Sequence, residues 1–395
     1  MLTYNSEIFS RAVEGITTLE DLKEKLKSGK KLRIKFGVDV TASTLHIGNA
    51  VNLWKMRSLQ EYGHKVIFLI GDFTTKIGDP TGRLEVRRAT GEKNVNQWAK
   101  NFIKQIGKIL LTDQKTFEVR RNSEWFGRMK SEKLLELMSL FTHAQVIERE
   151  MFQRRLKEGK EIRLPELIYP VLQGYDSVML ESDLTVIGSD QLFNEGVGRF
   201  LQQKFGQRPQ VIVTTTITPG LDGGVKMSKS LGNYIGLEDA PTDKFGKAMR
   251  LRDALISLYL KVYTETPLEK IVEMEERLRK GGNPMEAKLF FAEELVARYH
   301  GRKLARKEKE RFLSVFSKKK LPEDMPTIKV RSSREDVLEF LMRADLAPSK
   351  TEARRLLKQG AIKVNGVPQH PALRLVELKT GSVIQVGKRK FVKLV

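Results

Sequence analysis

Residues 31–38, KLRIKFGV, alternate polar and apolar, which is the period of a β-strand. Over residues 48–62 the period changes, and Leu53, Met56 and Leu59 recur on one side of a predicted helix. Residues 65–71, KVIFLIG, form a short apolar run between polar flanks, the pattern of a strand buried on both faces. Strand, loop, helix and buried strand make a βαβ unit. The expected fold class is therefore α/β, a doubly wound Rossmann-like parallel sheet. Two further strands are expected at Leu184–Ile187 and within PQVIVTTTI, residues 209–217. The stretch between, about 85–165, reads as mostly helical and strongly charged, an insertion rather than another βαβ repeat.

From Pro241 onward the pattern is helical. AMRLRDALISLYLKVY and PLEKIVEMEERLRK are amphipathic, and GGNP at 281–284 separates the second from a third helix, MEAKLFFAEELVARYH. A basic helical run, GRKLARKEKERFLSVFSKKK, follows, and LPEDMP at 321–326 reads as a linker. In the tail, VLEFLMRADL and SKTEARRLLKQG predict two short helices, the second capped by Ser349 with Glu352 three residues on and stopped at Gly360. AIKVNGVPQ predicts a strand with an Asn-Gly turn, and GSVIQVGKRKFVKLV a terminal hairpin. The expected domains are 1–240, α/β with a helical insertion at about 85–165; 241–320, α-helical; 321–328, a linker; and 329–395, small and α+β.

Charge sharpens this picture. The 395 residues carry 71 Lys plus Arg against 49 Asp plus Glu, a net of +22, which favours a polyanionic partner, nucleic acid first. A solvated, heat-adapted surface is the blander account of the same excess. The tail alone, residues 329–395, holds 8 Lys and 7 Arg against 6 acids. With no cysteine, disulfides, thiolate catalysis and Cys-zinc sites are excluded. The five histidines, His46, His64, His143, His300 and His370, are scattered, so no protein-held metal is expected. No apolar run approaches the roughly 18–20 residues of a membrane helix, and the first residues lack the features of a signal peptide. A cytoplasmic location without membrane partners is expected.

Two stretches carry the chemistry. VDVTASTLHIGNA, residues 38–50, leaves a strand and enters a helix N-terminus, where unpaired backbone N–H groups favour phosphate. Thr41 and His46 add donors there, and Gly48 permits close approach of a nucleotide. The Walker spacing is missing. GGVKMSKSLGN, residues 223–233, places Lys226 and Lys229 three apart on a loop that can close over a triphosphate and stabilise a leaving pyrophosphate. Either stretch alone could be structural, a lone His in a turn or an exposed basic loop.

Together, HIGN and KMSKS resemble the paired signatures of the class I aminoacyl-tRNA synthetases. Asn49 stands where the usual HIGH has its second His, and Val40 where a proline is common. YPVLQGYDSVML, residues 169–180, places Tyr169, Gln173 and Asp176 at i, i+4 and i+7, on one helix face. That Y-x-x-x-Q-x-x-D arrangement resembles the tyrosyl-tRNA synthetase family. GDFTTKIGDPTGR at 71–83, VIGSDQ ending at Gln191, NPMEAK and YHG are similar to further segments of it, and the last 67 residues resemble an S4 RNA-binding domain.

The resemblance implies a ligase that activates tyrosine with ATP, releasing pyrophosphate, and then transfers it to the 3′ ribose of tRNA(Tyr). It implies a catalytic set of Thr41, His46, Asn49, Lys226 and Lys229, and ATP contacts from Gly48, Asp190, Lys229 and Ser230. Tyrosine would meet Lys35, Asp39, Asp79, Tyr169, Gln173, Asp176 and Gln191: Tyr169, Gln173 and Asp79 toward the ammonium, Asp176 toward the phenolic hydroxyl. Lys35 occupies the position at which many relatives place a second tyrosine hydroxyl. Mg²⁺ would arrive with ATP, the helical and S4-like domains would bind tRNA, and the chain would be a homodimer. The alternatives are a tryptophanyl-tRNA synthetase, a non-catalytic synthetase-like RNA-binding protein and a nucleotidyltransferase acting on another carboxylate.

Overall fold

The apolar run KVIFLI becomes the strand next to one edge of a six-stranded sheet. The molecule, a computed structural model, is described over residues 2–39, 45–79, 92–224, 226–227, 231–316, 325–330, 334–370, 375–387 and 390–395, with the backbone alone for 92–94 and 315–316. It divides into two units, Met1–Tyr299 and His300–Val395.

In the first unit the strands are β1 (Val13–Thr17), β2 (Arg33–Val38), β3 (Lys65–Ile70), β4 (Phe117–Arg121), β5 (Leu184–Gly188) and β6 (Val211–Thr215). Their order across the sheet is β1-β6-β5-β2-β3-β4. All neighbours are parallel except β1, which runs antiparallel to β6 along one edge. Helix α1 (Ile47–Glu61) connects β2 to β3 and turns Leu53, Met56 and Leu59 into the core with Ile34, Val66 and Phe68. The strand order reverses beside β2, between β5 and β3, which opens a crevice at the carboxyl ends of these strands.

Helices α2 (Leu164–Met179) and α3 (Leu192–Lys204) cover the other face, with Val171, Leu172, Val178, Val197 and Leu201 buried between them and the sheet. Glycines set how closely they cross. A Cβ on Gly174 would lie 2.7 Å from Val197 Cγ1 and 3.0 Å from the backbone N of Gly198, so a side chain there would push the helices apart.

Three features differ from the sequence reading. The stretch read as mostly helical contains β4, FEVRR, which extends the sheet beyond β3. Its charges are tolerated because it is an edge strand with one solvated side, so its apolar alternation is weak. AMRLRDALISLYLKVY is two pieces, not one helix. A helix over Pro241–Ala248 ends near Met249, and another begins at Ile256 after Arg252 turns extended and donates its backbone N–H to the Leu221 carbonyl at 3.2 Å. The edge strand β1 is the third, and no period in the sequence announces it.

In the second unit, a helix over Arg302–Phe316 precedes α4 (Val337–Arg343) and α5 (Lys350–Lys358). Ser349 caps α5, its hydroxyl accepting from the Glu352 N–H at 3.2 Å, worth about 1 kcal/mol. Strands β7 (Thr327–Ile328), β9 (Ile362–Val364), β10 (Val367–Pro368), β12 (Val383–Val386) and β13 (Lys390–Leu394) form a sheet ordered β10-β9-β12-β13-β7, and β8 (Arg334–Asp336) pairs with β11 (Leu375–Glu377). The β9–β10 hairpin turns on Asn365 and Gly366, at φ 49° and 82°, the left-handed pair that Asn-Gly supplies. Phe340, Leu341, Leu357, Ile362, Ile384 and Val392 build its core.

Candidate active site

A cavity of about 750 Å³ opens at the carboxyl ends of β2, β3, β5 and β6. Lys35, Asp39, His46, Gly48, Asn49, Asp79, Tyr169, Gln173, Asp176, Asp190, Gln191 and Lys226 all line it. Residues nearly 200 positions apart in sequence thus share one chamber, large enough for a nucleotide and a small second substrate. Thr41, Lys229 and Ser230 lie outside the described residues.

One wall is the N-terminus of α1. His46 is its N-cap, and the His46 backbone N–H donates to Asn49 Oδ1 at 3.1 Å, so Asn49 serves the helix start from the position at which HIGH has histidine. The Ile47 N–H donates to the Ile235 carbonyl at 3.0 Å, tying this turn to the stretch just after the KMSKS loop. The helix N-terminus carries partial positive charge, suited to an anion. Lys226 faces the same space and pairs with Asp190 at 3.0 Å. Both side chains are partly exposed, so the pair is worth about 0–1 kcal/mol and can open readily.

The opposite end is closed and polar. The α2 face bearing Tyr169, Gln173 and Asp176 forms its side, as the helical spacing requires. The Tyr169 hydroxyl donates to Asp39 Oδ2 at 3.1 Å, and Thr74 donates to Asp39 Oδ1 at 2.8 Å. Asn122 donates at 3.1 Å to the Thr74 hydroxyl and at 3.4 Å to Asp176 Oδ2. Trp125 Nε1 donates to Asp176 Oδ1 at 3.0 Å. Gln191 reaches Asp79 Oδ2 at 2.8 Å, and Gln173 Nε2 reaches Glu195 Oε1 at 2.9 Å. Asp39 and Asp79 make this region attractive to a cation. Asp176 offers remaining lone pairs to a hydroxyl donor.

Burial is the dominant electrostatic cause here. It pushes the Asp176 carboxyl up to about 8, against the opposing pull of Lys35, Trp125 and Asn122. It likewise raises the Tyr169 phenol, with Asp39 adding to the rise, so Tyr169 stays a neutral donor. Burial also lowers Arg149, which Asp79 partly offsets.

Sequence reasoning missed Thr74, Asn122, Trp125, Asn194, Glu195 and Gln210. Thr74 stands inside a segment already singled out, GDFTTKIGDPTGR, but two adjacent threonines carry no signal of which one turns inward. Asn122 and Trp125 follow β4, the strand the pattern hid. Asn194 donates to Gln173 Oε1 at 2.8 Å and Gln210 to Glu195 Oε2 at 2.7 Å, yet each reads as a surface residue in sequence. Among the described residues, no group of three or more His, Cys, Asp and Glu could hold a metal ion, and no helix is long and apolar enough to cross a membrane.

Known proteins are similar to this chain over nearly its whole length. The family model of the class I tRNA synthetases (W and Y) matches residues 27–317, and that of the tyrosine--tRNA ligase SYY-like C-terminal domain matches residues 318–393. The tyrosine--tRNA ligase of Moorella thermoacetica is 43% identical over 392 residues, covering 98% of this chain and 94% of that protein. The one from Thermotoga maritima is 41% identical over 389 residues, covering 98% and 96%. Among solved structures, the tyrosyl-tRNA synthetase of Archaeoglobus fulgidus complexed with L-tyrosine is similar at a TM-score of 0.60, with 22% identity, over 77% of this chain and 98% of that one. The tryptophanyl-tRNA synthetase of Plasmodium falciparum shares the fold at a TM-score of 0.57 and 17% identity, over 75% and 81% of the two chains.

Proposed function

This chain belongs to the tyrosine–tRNA ligases of class I, and we propose how its side chains divide that reaction among themselves. The activity has two steps. The tyrosine carboxylate attacks the α-phosphorus of ATP, giving tyrosyl-adenylate and pyrophosphate, and the terminal ribose hydroxyl of tRNA(Tyr) then attacks the activated carbonyl.

Catalysis here is positioning plus charge stabilisation. Thr41, His46, Lys226 and Lys229 hold the β- and γ-phosphates as charge moves onto the leaving pyrophosphate, with Asn49 bracing the turn that carries His46. Gly48 admits the nucleotide, and Asp190 and Ser230 complete its contacts. Mg²⁺ travels with ATP. Asp79, Tyr169 and Gln173 receive the tyrosine ammonium, with Asp39 holding the Tyr169 hydroxyl in place, and Gln191 faces the carboxylate. Asp176 accepts the phenolic hydroxyl. The helical region after Pro241 and the basic C-terminal unit grip tRNA phosphates, and two copies of the chain work as a dimer.

One observation carries the amino-acid assignment. Asp176 is a buried carboxylate at the closed end of the cavity, its two oxygens already oriented by Trp125 and Asn122. Phenylalanine would leave it without the partner that tyrosine supplies, and an unmet buried acceptor costs the full desolvation of the group. The test is exchange of labelled pyrophosphate into ATP with tyrosine, phenylalanine or tryptophan as the only amino acid. Exchange with tyrosine alone is expected. Exchange with tryptophan would mean that the face bearing Asp176 receives an indole and not a phenol.

A second expectation concerns Gly71, at the end of β3. A Cβ there would lie 2.5 Å from both Asp39 Oδ1 and Thr74 Oγ1. Gly71→Ala must part that hydrogen bond and shift the carboxylate that orients Tyr169. Tyrosine KM should rise about ten- to a hundredfold, from the loss of a hydrogen bond to a charged group, while the KM for ATP changes little. Steady-state exchange kinetics with each substrate varied in turn would read both.

A further inference from the structure

A buried carboxylate on α3 fixes the direction of the hydrogen bonds around Gln173. Glu195 is 2% exposed and pairs with the equally buried Lys35 of β2, Oε2 lying 2.8 Å from the ammonium. The other two donors of that ammonium go to the Ser177 hydroxyl at 2.7 Å and the Gln173 backbone carbonyl at 3.4 Å. None is left over for a substrate, so Lys35, which the resemblance sets against tyrosine, acts on its neighbours instead. An ammonium only donates, and Glu195 meets every neighbour as an acceptor. Its Oε2 also accepts from Gln210 Nε2 at 2.7 Å, and its Oε1 accepts from Gln173 Nε2 at 2.9 Å. The same Gln173 nitrogen reaches Gln191 Oε1 at 3.3 Å, and Gln191 Nε2 donates onward to Asp79 Oδ2. Both donors of the Gln173 amide are thus spent on side chains. Asn194 donates to Gln173 Oε1 at 2.8 Å. One lone pair on that oxygen is all this amide can still offer a ligand. Asp39 and Asp79 line the same cavity. The surface around Gln173 therefore accepts and does not donate, which suits a cation that brings several N–H groups.

We propose that Glu195 is the positioning residue of the ammonium site: anchored by Lys35, it sets the polarity of the Gln173 amide, so that the substrate meets an oxygen there and not an NH₂ group. The inference rests on the reading that Gln173 receives the tyrosine ammonium. Glu195 acts through Gln173 and not on the ligand, since its side chain is 3% exposed and both its oxygens are engaged. A glutamine in its place would lose the direction. The new amide would turn its oxygen to Lys35, which sets its NH₂ group against Gln173 Nε2. Gln173 escapes that contact only by rotating its amide. It would then present donors to an ammonium, which has none but donors itself.

The test is equilibrium binding of three ligands to the full chain. L-Tyrosine carries ammonium and carboxylate, tyramine the ammonium alone, and deaminotyrosine the carboxylate alone. Glu195→Gln should weaken tyrosine and tyramine about ten- to a hundredfold, the loss of a hydrogen bond to a charged group. Deaminotyrosine should stay within about threefold of its wild-type affinity, because specificity is a difference of affinities and this ligand has no ammonium contact to lose. An equal loss for all three ligands, or no loss for tyrosine, would overturn the proposal and leave the pair a structural brace. In a Gln173→Leu background, Glu195→Gln should add no further selective loss. A selective loss that persists there would mean that Glu195 acts on the ligand directly, and the proposal falls. If Glu195→Gln does not fold, Lys35→Met combined with Glu195→Leu replaces the ion pair by hydrocarbon, a replacement that need not cost stability. It takes the acceptor from Gln173 Nε2, so the same selective loss is expected, and an equal loss for all three ligands overturns the proposal. Wild type that binds deaminotyrosine as tightly as tyrosine would bring down the ammonium reading itself, and the proposal with it, before any variant is compared.

Discussion

Asp176→Asn will lower kcat/KM for tyrosine by about ten- to a hundredfold, within the roughly 1–3 kcal/mol that leaving a buried partner unsatisfied costs. Asparagine has nearly the same shape and can still meet Trp125 or Asn122, so the fold of α2 is kept. It loses a carboxyl oxygen that can accept the phenolic hydroxyl. It also places an NH₂ group where the hydroxyl donor would arrive, so two donors compete for too few lone pairs. For phenylalanine the substitution removes a buried carboxyl that had no substrate partner, and kcat/KM should hold or rise. Discrimination is a ratio of the two values, so it falls further than either. Measuring both amino acids in aminoacylation decides the matter. An equal loss for both would mean that Asp176 acts only on the structure of the pocket.

Lys229→Ala will slow tyrosyl-adenylate formation by about a hundred- to a thousandfold, the 2.7–4 kcal/mol associated with removing one preorganised donor from a developing charge. The loss belongs to the transition state, because negative charge builds on the pyrophosphate oxygens only as the bond to the α-phosphorus breaks. On the proposed assignment tyrosine occupies the closed end of the cavity, against α2, and its dissociation constant should be unchanged. Single-turnover adenylation with a separate equilibrium titration of tyrosine separates the two quantities. An unchanged adenylation rate would falsify the phosphate role. Lys226 gives a useful contrast, because it already has an acidic neighbour in Asp190. Its contribution must include the cost of leaving that partner.

The elements that were legible in the sequence are those whose two faces differ in the expected way, or do not differ at all. β3 is apolar on both faces because helices cover both, and KVIFLI says so directly. α1, the Asn-Gly hairpin and the Ser349 cap each depend on local rules, and local rules are what a sequence displays. β4 was hidden because an edge strand with three charged residues in five has no clean period. β1, VEGIT, is likewise an edge and mostly half-buried.

The site divides in the same way. Tyr169, Gln173 and Asp176 are visible because helical spacing sets them on one face. Lys35 in an alternating strand reads as one of the solvated positions, and Glu195 in NEGVGRF reads as a surface charge. Each is explained only by the other, 160 residues away, and pairing at that distance leaves no trace in periodicity. Asn122 and Trp125 were out of reach for the same reason as β4, since their placement follows from that strand's place in the sheet.

The floor of the pocket also has a consequence for the lifetime of the molecule. Lys35, Asp176 and Glu195 are 2%, 4% and 2% exposed, three ionisable groups held where hydrocarbon would fold more favourably. The ligand-free protein therefore gives up some conformational stability to keep a polar receptor ready. Tyrosine offsets this by mass action, adding about 2.7 kcal/mol at a hundred times its dissociation constant. Copies with tyrosine bound should therefore open less often than vacant ones, and a protease that cuts only the open form should cleave them more slowly.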